Sequence, residues 1–234
     1  MILYDTGIQR LDWAAIAAQL DAEGYALLPG LFDAAAARAL VQQAMQPDAV
    51  RVSLASNNVG SGELIHFDAT LPASLEKLRA ALYPHLASIA NRWNGILGVT
   101  DRYPAQLQDF LQRNREAGQA RVQSHLSRLG PEDHIALHQR NDGEVVFPLQ
   151  LIALLSAPGL DFLGGEFVMT EQRPRRQSRP MVLPLALGDA ALIATAERPF
   201  RGSKGFYRVN LKHAVSRVRQ GERLGLELSF HDAR

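Results

Sequence analysis

The pattern of apolar residues changes character near residue 120. Before that point apolar residues recur at helical spacing, and after it short apolar runs alternate with turn residues. The helical spacing predicts helices over residues 11–23, 33–46, 72–93 and 104–116. Asp33 is a suitable N-cap for the second helix. Pro84 predicts a kink or a break in the third, because proline removes a helical hydrogen bond. Residues 25–29 read as a short strand, and the Pro-, Ser-, Asn- and Gly-containing stretch 47–63 reads as loop.

The second half of the chain has the pattern of an all-β core. Glycine, proline and Asn-Asp-Gly breaks separate runs of strand-forming residues at roughly regular spacing. These runs cover residues 121–129, 134–138, 145–156, 166–170, 181–185, 190–194, 207–218 and 223–230. We therefore predict about eight core strands, all after residue 120, arranged as a jelly-roll (double-stranded β-helix) barrel. The fold class is α+β, mainly β with N-terminal helices, in one domain whose helical part (1–119) supports a jelly-roll core (120–234).

Composition narrows the partners and the chemistry. The 234 residues are 47% hydrophobic, which is enough for a sizeable core, and the formal net charge is only +1. A balanced charge argues against nucleic acid or an anionic membrane as the main partner. The absence of cysteine leaves His, Asp and Glu as the ligands for any metal. No N-terminal leader pattern and no apolar run of about 20 residues is seen, so a cytoplasmic, non-membrane protein is expected.

Strand alternation singles out three residues that could carry chemistry. Side chains two apart share a face, so His213 lies on the apolar, inward face of its strand with Val209, Leu211 and Val215. It is either a hydrogen-bonded core histidine or a ligand. Arg223 lies opposite the leucine face of the last strand, toward solvent or toward a polar cavity where it would bind a small carboxylate. His138 ends a strand beside an open turn.

Three motifs, taken in order, resemble a known family. Residues 213–223 read His-Ala-Val-Ser-Arg-Val-Arg-Gln-Gly-Glu-Arg, residues 164–167 read Gly-Gly-Glu-Phe, and Val182-Leu183-Pro184 is followed by Gly188-Asp189-Ala190. This arrangement is similar to that of the prolyl-hydroxylase-like iron(II)/2-oxoglutarate-dependent oxygenases, and in particular to an uncharacterised bacterial group of them. The resemblance implies a dioxygenase that uses iron(II) and 2-oxoglutarate to hydroxylate a small molecule or a protein side chain. It also implies that His213 is a metal ligand and that Arg223 binds the far carboxylate of 2-oxoglutarate. From strand parity and the matched spacing of His213 and Arg223, we predict that His138, His213 and Arg223 point into one barrel cavity.

The remaining metal ligands implied by the family come from an H-x-D triplet, where the sequence reads His138-Gln139-Arg140. Arginine cannot coordinate a metal ion. Three interpretations remain open. The Asn-Asp-Gly turn could fold Asp142 back as the third ligand, although in an extended strand it would lie roughly 13 Å from His138. Two histidines could hold the metal without a carboxylate. Alternatively, the metal site is lost, and the chain is a non-catalytic module that binds a small anion or a partner protein.

Further histidines stand where they could reach the mouth of the predicted barrel. These are His66, in the segment Ile65-His66-Phe67-Asp68-Ala69, together with His125 and His134. Each is either an ordinary surface or core histidine or part of an altered pocket.

Overall fold

The computed structural model describes residues 5–46, 49–57, 59–67 and 70–234. Within these ranges the helices are α1 (Asp5–Ile8), α2 (Trp13–Glu23), α3 (Ala34–Ala44), α4 (Ala73–Ile96) and α5 (Leu107–Glu116). The strands are β1 (Tyr25–Leu28), β2 (Val50–Ser53), β3 (Gly60–Ser61), β4 (Glu63–His66), β5 (His125–Leu129), β6 (His134–His138), β7 (Leu149–Leu154), β8 (Phe162–Gly164), β9 (Phe167–Gln172), β10 (Arg179–Leu183), β11 (Ala190–Ala194), β12 (Glu197–Gly202), β13 (Gly205–Val215), β14 (Val218–Gly221) and β15 (Arg223–Ser229). None of the helices in the described part of the chain has the length and apolar character needed to cross a membrane.

The predicted helices are present, and their ends have identifiable causes. The Asp33 side chain accepts a hydrogen bond from the Ala36 N–H at 2.8 Å, which confirms it as the N-cap of α3. Gly24 ends α2 with a left-handed φ of 79°, and a Cβ there would lie 2.4 Å from the Leu211 side chain. α4 runs through Pro84 as one helix of 24 residues, so the alternative of two separate helices is wrong. Burial of its leucine face offsets the hydrogen bond that proline removes.

The strands form the predicted jelly-roll fold as two antiparallel sheets. The larger sheet has the order β1-β11-β7-β15-β5-β4-β2, and the smaller has the order β10-β9-β13-β6-β3, with β12 also paired to β13. β8 and β14 form a separate two-stranded ribbon. Among the described residues no strand pairing joins one sheet to the other, so no continuous barrel closes. The two sheets face each other.

The prediction that all core strands follow residue 120 is wrong. β1 pairs with β11, β4 with β5, and β3 with β6, so the first half of the chain supplies sheet strands as well as helices. The stretch predicted as loop, 47–63, contains β2, β3 and the start of β4, while Pro47, Asp48 and Asn58 of that stretch lie outside the described residues. These strands are only two to four residues long and contain few apolar residues. Their conformation depends on pairing with distant partners, which local pattern does not report.

Burial along the two central strands determines what faces the space between the sheets. On β13, Val209, Leu211, His213 and Val215 are buried, as the alternation predicted. On β15 both faces are buried, because β15 is a central strand covered on both sides. The residues opposite its leucines, Arg223 and Glu227 among them, therefore face the interior of the protein.

α4 is fastened to the end of β15 by a buried ion pair. The Arg79 guanidinium donates to the Asp232 carboxylate at 3.0 Å and to the Phe230 carbonyl oxygen at 2.8 Å, and both charged side chains are nearly inaccessible. Burial lowers the pKa of Arg79, although Asp232 opposes that effect. The pair is therefore a structural link whose loss leaves a charge without a partner in the core.

We expect Arg79→Ala to destabilise the fold by about 3 kcal/mol, because Asp232 then remains buried without a partner. The matched control is Arg217→Ala, which removes an exposed partner of Glu132 and should cost less than about 1 kcal/mol. Equilibrium unfolding in urea measures both. Equal effects for the two variants would contradict the structural role of Arg79.

Candidate metal centre

His138 and His213 meet across the ladder of β6 and β13. They are register partners on the two antiparallel strands, and their ring centroids lie 4.2 Å apart. The sequence reasoning placed both in one site by strand parity, and the structure brings the two rings together. His213 is completely buried, with the Phe167 ring nearly parallel to it at 5.9 Å. The Phe167 ring covers one side of the imidazole, so the polar contacts of His213 lie away from that side.

Hydrogen bonds orient both imidazoles. Nδ1 of His138 lies 3.0 Å from the Ala136 carbonyl oxygen, so Nδ1 donates to that oxygen and Nε2 is the nitrogen left to face a ligand. Nε2 of His213 lies 3.2 Å from the Gln150 side-chain amide, and its buried Nδ1 has no partner among the described residues. Such outer contacts commonly set which nitrogen of a histidine faces a metal.

The third member of the group is Glu227, from β15 on the larger sheet. One ligand atom from each of His138, His213 and Glu227 can be chosen so that all three lie within 4.8 Å of one another. Glu227 is 5% exposed. The sequence reasoning missed it because, on the face of β15 opposite the leucines, it considered only Arg223 as a functional residue. A glutamate four residues after Arg223, on the same strand parity, was the available signal.

Asp142, the expected third ligand, is not part of this group. It is exposed in the turn after β6 and borders the same cavity as His138, Arg140 and Glu227. Glu227 replaces it as the acid next to the two histidines.

Arg140 lies against Glu227. Its guanidinium donates to Oε2 of Glu227 at 3.1 Å, and its backbone N–H donates to the Thr195 carbonyl oxygen. Burial by itself would raise the pKa of the Glu227 carboxyl, but the charge of Arg140 opposes burial, and that pKa lies below its usual range. Glu227 is therefore a carboxylate at neutral pH, as a metal ligand must be.

A row of polar side chains extends from Glu227 across the larger sheet. Glu227 on β15, His125 on β5 and His66 on β4 are successive register partners. Nε2 of His125 lies 3.8 Å from the Glu227 carboxylate, and the His66 and His125 rings are 5.4 Å apart. Burial is the main cause that lowers the pKa of His125 to about 4 and that of His213 to about 3. Both imidazoles are thus neutral at pH 7.

His134 and the rest of the segment around His66 were also expected near the mouth of the barrel. His134 is exposed at the edge of the smaller sheet, near the Ser61 hydroxyl, and does not join the row. Asp68 and Ala69, from the segment around His66, lie outside the described residues.

Arg223 is buried on the same face of β15 as Glu227, but it lines a different cavity. Its Nε donates to the Gly165 carbonyl oxygen at 2.7 Å, and burial lowers its pKa to about 10. A Cβ on Gly225 would lie 2.8 Å from its Nη1, so glycine there leaves room for the guanidinium. Arg223 borders a cavity of about 330 Å³, whereas His138, Arg140 and Glu227 border one of about 240 Å³. Arg223 and His138 therefore border separate cavities, contrary to the expectation that His138, His213 and Arg223 share one.

The donor set fits a first-row divalent metal ion. Two imidazoles and one carboxylate match the ligand types of a two-histidine, one-carboxylate iron(II) site. The partnerless buried nitrogen of His213 is an observation that such an ion would explain. The charge of Arg140 is balanced by Glu227 and does not stand alone beside the histidines.

The two-sheet jelly roll with this histidine pair defines an oxygenase-type fold. A family model described as "Oxygenase, catalysing oxidative methylation of damaged DNA" matches residues 62–233, and the chain belongs to that family. Two uncharacterized proteins from two strains of Mycobacterium tuberculosis are each 42% identical over 167 residues, which is 71% of this chain and 72% of theirs.

Solved structures share the fold at low sequence identity. A Pseudomonas putida prolyl-4-hydroxylase has a TM-score of 0.56 and 12% identity, covering 95% of this chain and 99% of its own. A prolyl hydroxylase from Trichoplax adhaerens has a TM-score of 0.57 and 14% identity, covering 97% and 91%. A Burkholderia pseudomallei protein of the 2-oxoglutarate–iron(II) oxygenase family has a TM-score of 0.54 and 20% identity, covering 96% and 93%. The predicted family resemblance is confirmed.

We expect Glu227→Gln to weaken manganese(II) binding by more than about tenfold, because it removes the anionic oxygen of the group. Loss of even an outer contact of a metal site lowers metal affinity by about tenfold or more. Asp142→Asn is the matched control and should stay within about threefold of the native affinity, since its carboxylate is outside the group. Calorimetric titration with manganese(II) measures both. A larger loss of manganese(II) affinity in Asp142→Asn than in Glu227→Gln would show that Asp142, and not Glu227, is the ligand.

Proposed function

We propose that the protein is an iron(II)- and 2-oxoglutarate-dependent dioxygenase that hydroxylates a C–H bond of its substrate. The observation that carries the proposal is the convergence of His138, His213 and Glu227 between the two sheets of a chain that belongs to an oxygenase family. In this proposal the three residues hold iron(II). Bound iron(II) and 2-oxoglutarate supply the oxidising chemistry, and the protein supplies binding, orientation and shielding from water.

The contacts around the group suit those tasks. The Ala136 carbonyl and the Gln150 amide hold the two imidazoles, and Arg140 holds the carboxylate. His213 and Glu227 are at most 5% exposed, so bulk water has little access to the side of the site that they form. The cavity of about 240 Å³ beside His138 and Glu227 has apolar walls from Leu64 and Ile135. It is the place where a substrate C–H group would lie next to the metal.

Arg223 is assigned to 2-oxoglutarate on its chemistry and position. Its guanidinium extends over Gly225, which lies between Arg223 and Glu227 on one face of β15. A buried guanidinium with an apolar surrounding binds a carboxylate through charge-assisted hydrogen bonds. The wall between the two cavities has to open for one molecule to contact both Arg223 and the metal, so cosubstrate binding requires a local rearrangement of the interior.

We expect Arg223→Gln to weaken 2-oxoglutarate binding to the manganese(II)-loaded protein by about 10- to 100-fold, the value of a charge-assisted hydrogen bond. Manganese(II) affinity should stay unchanged, because Arg223 is not in the metal group. Arg208→Gln is the control for loss of one positive charge, since Arg208 is exposed on β13. Calorimetry under anaerobic conditions measures both ligands. Unchanged 2-oxoglutarate affinity in Arg223→Gln would remove Arg223 from the cosubstrate site.

For the substrate we propose a small molecule or a protein side chain. A formal net charge of +1 on 234 residues does not provide the excess of positive charge that phosphate-backbone binding requires. The description of the family, however, names damaged DNA as the substrate of its oxygenases. Nucleic acid is therefore the substrate class against which the proposal has to be tested.

We expect a methylated single-stranded oligonucleotide to leave 2-oxoglutarate turnover at its basal rate. Succinate release is measured with the iron(II)-loaded protein, alone and with methylated or unmethylated oligonucleotide of one sequence. The reason is the balanced charge, which gives weak, salt-sensitive binding without specificity. Stimulation by the methylated oligonucleotide alone would overturn the proposed substrate class and transfer the family's described substrate to this chain.

A further inference from the structure

Arg140 occupies the centre of the polar interior. Its backbone is held by the Thr195 carbonyl, and its guanidinium contacts Oε2 of Glu227 while Nε is buried without a partner among the described residues. It borders the same cavity as His138 and Glu227. Its charge also acts on His66, His125, His213 and His231. A surface arginine would have no such set of neighbours.

The contact with Glu227 has two consequences for a metal site. A carboxylate that is 5% exposed among neutral imidazoles is unfavourable unless a positive group accompanies it. Arg140 is that group, and it uses one carboxylate oxygen, Oε2, so the other is not engaged by the guanidinium. The guanidinium therefore holds the orientation of Glu227 toward the two histidines.

Position 140 also lies within reach of the metal group from the opposite sheet. It follows His138 by two residues, and side chains two apart in extended chain share a face. Its side chain in fact ends at Glu227, next to both histidines. A shorter acidic side chain at this position would point toward the same space from β6, while Glu227 approaches from β15.

We propose that the carboxylate and the guanidinium of this metal site have exchanged places, so that Glu227 supplies the ligand from β15 and Arg140 is the positioning residue that holds it. The inference rests on the proposed metal-dependent function. It explains why an arginine stands two residues after His138 without abolishing the site, because the missing carboxylate has been supplied by the facing sheet. It also predicts that a carboxylate can serve from either position.

The experiment is a rescue of metal binding. Manganese(II) affinity and the electron paramagnetic resonance spectrum of the bound ion are measured for the native chain, Glu227→Gln, the double variant Arg140→Asp/Glu227→Gln and the double variant Arg140→Asn/Glu227→Gln. The two double variants remove the same guanidinium and differ only in whether a carboxylate replaces it. Circular dichroism and thermal melting establish folding, and Arg140→Glu/Glu227→Gln takes the place of the Asp form if that form does not fold.

The expected result is a loss of more than about tenfold in Glu227→Gln and a return to within about tenfold of the native affinity when Arg140→Asp is added to it. The control Arg140→Asn/Glu227→Gln should still bind manganese(II) weakly. The rescued protein should have a spectrum distinct from the native one, because its carboxylate comes from position 140, after β6, and not from β15. A purely structural role for Arg140 would produce no rescue.

Other outcomes overturn the inference in distinguishable ways. If neither acidic double variant binds better than the Asn control while the native chain binds metal, the exchange is wrong and the proposed function remains. If the Asn control recovers as well as the Asp variant, relief of charge is sufficient and position 140 is not a ligand position. Native-like binding by Glu227→Gln removes Glu227 from the site. Failure of the native chain to bind manganese(II) or iron(II) overturns the proposed function itself and favours a non-catalytic binding module.

Discussion

The interior of this protein is organised by the need to pair a carboxylate that is buried between two sheets. Glu227 lies on a central strand of the larger sheet and is accessible to solvent over only a few per cent of its surface. Water cannot stabilise its charge there, so the stabilisation has to come from protein groups. Arg140 from the end of β6 provides it, and His138 and His213 provide polar neighbours on the smaller sheet. The same constraint that the fold must satisfy thus brings together His138, His213 and Glu227, the group that could hold a metal ion.

The jelly roll makes this convergence possible because its two sheets pack face to face at short range. β13 and β6 bring the histidines into register, and β15 brings the glutamate from the other side. Neither sheet alone carries the three ligand types. The first half of the chain contributes to the same interior through β4, whose His66 continues the row that begins at Glu227. The helices brace this arrangement from outside, with Arg79 of α4 bound to the segment that follows β15.

The site differs from the one the family resemblance implies in the origin of its carboxylate, and not in its set of ligand types. Two histidines and one carboxylate are present, but the acid comes from the strand that also carries Arg223. One strand would then contribute to both metal and cosubstrate binding, with Gly225 leaving room for the guanidinium between them. Arg223 and the Arg140–Glu227 pair line separate cavities.

Sequence alone was sufficient for the features that depend on local pattern. Period-two alternation correctly assigned His213 to the inward face of β13, helical spacing located the main helices, and the order of short motifs indicated the oxygenase family. It did not locate β2, β3 and β4, because strands of two to four residues are too short to show a clear alternation, and β3 and β4 pair with strands from the second half of the chain. It also offered Asp142, the nearest acid in sequence, as a third ligand, whereas the acid that groups with the two histidines is Glu227, 89 residues after His138 by their numbers. Only the packing of one sheet on the other decides which face of a doubly buried strand meets the histidines, since alternation divides residues into two faces without saying what each face contacts.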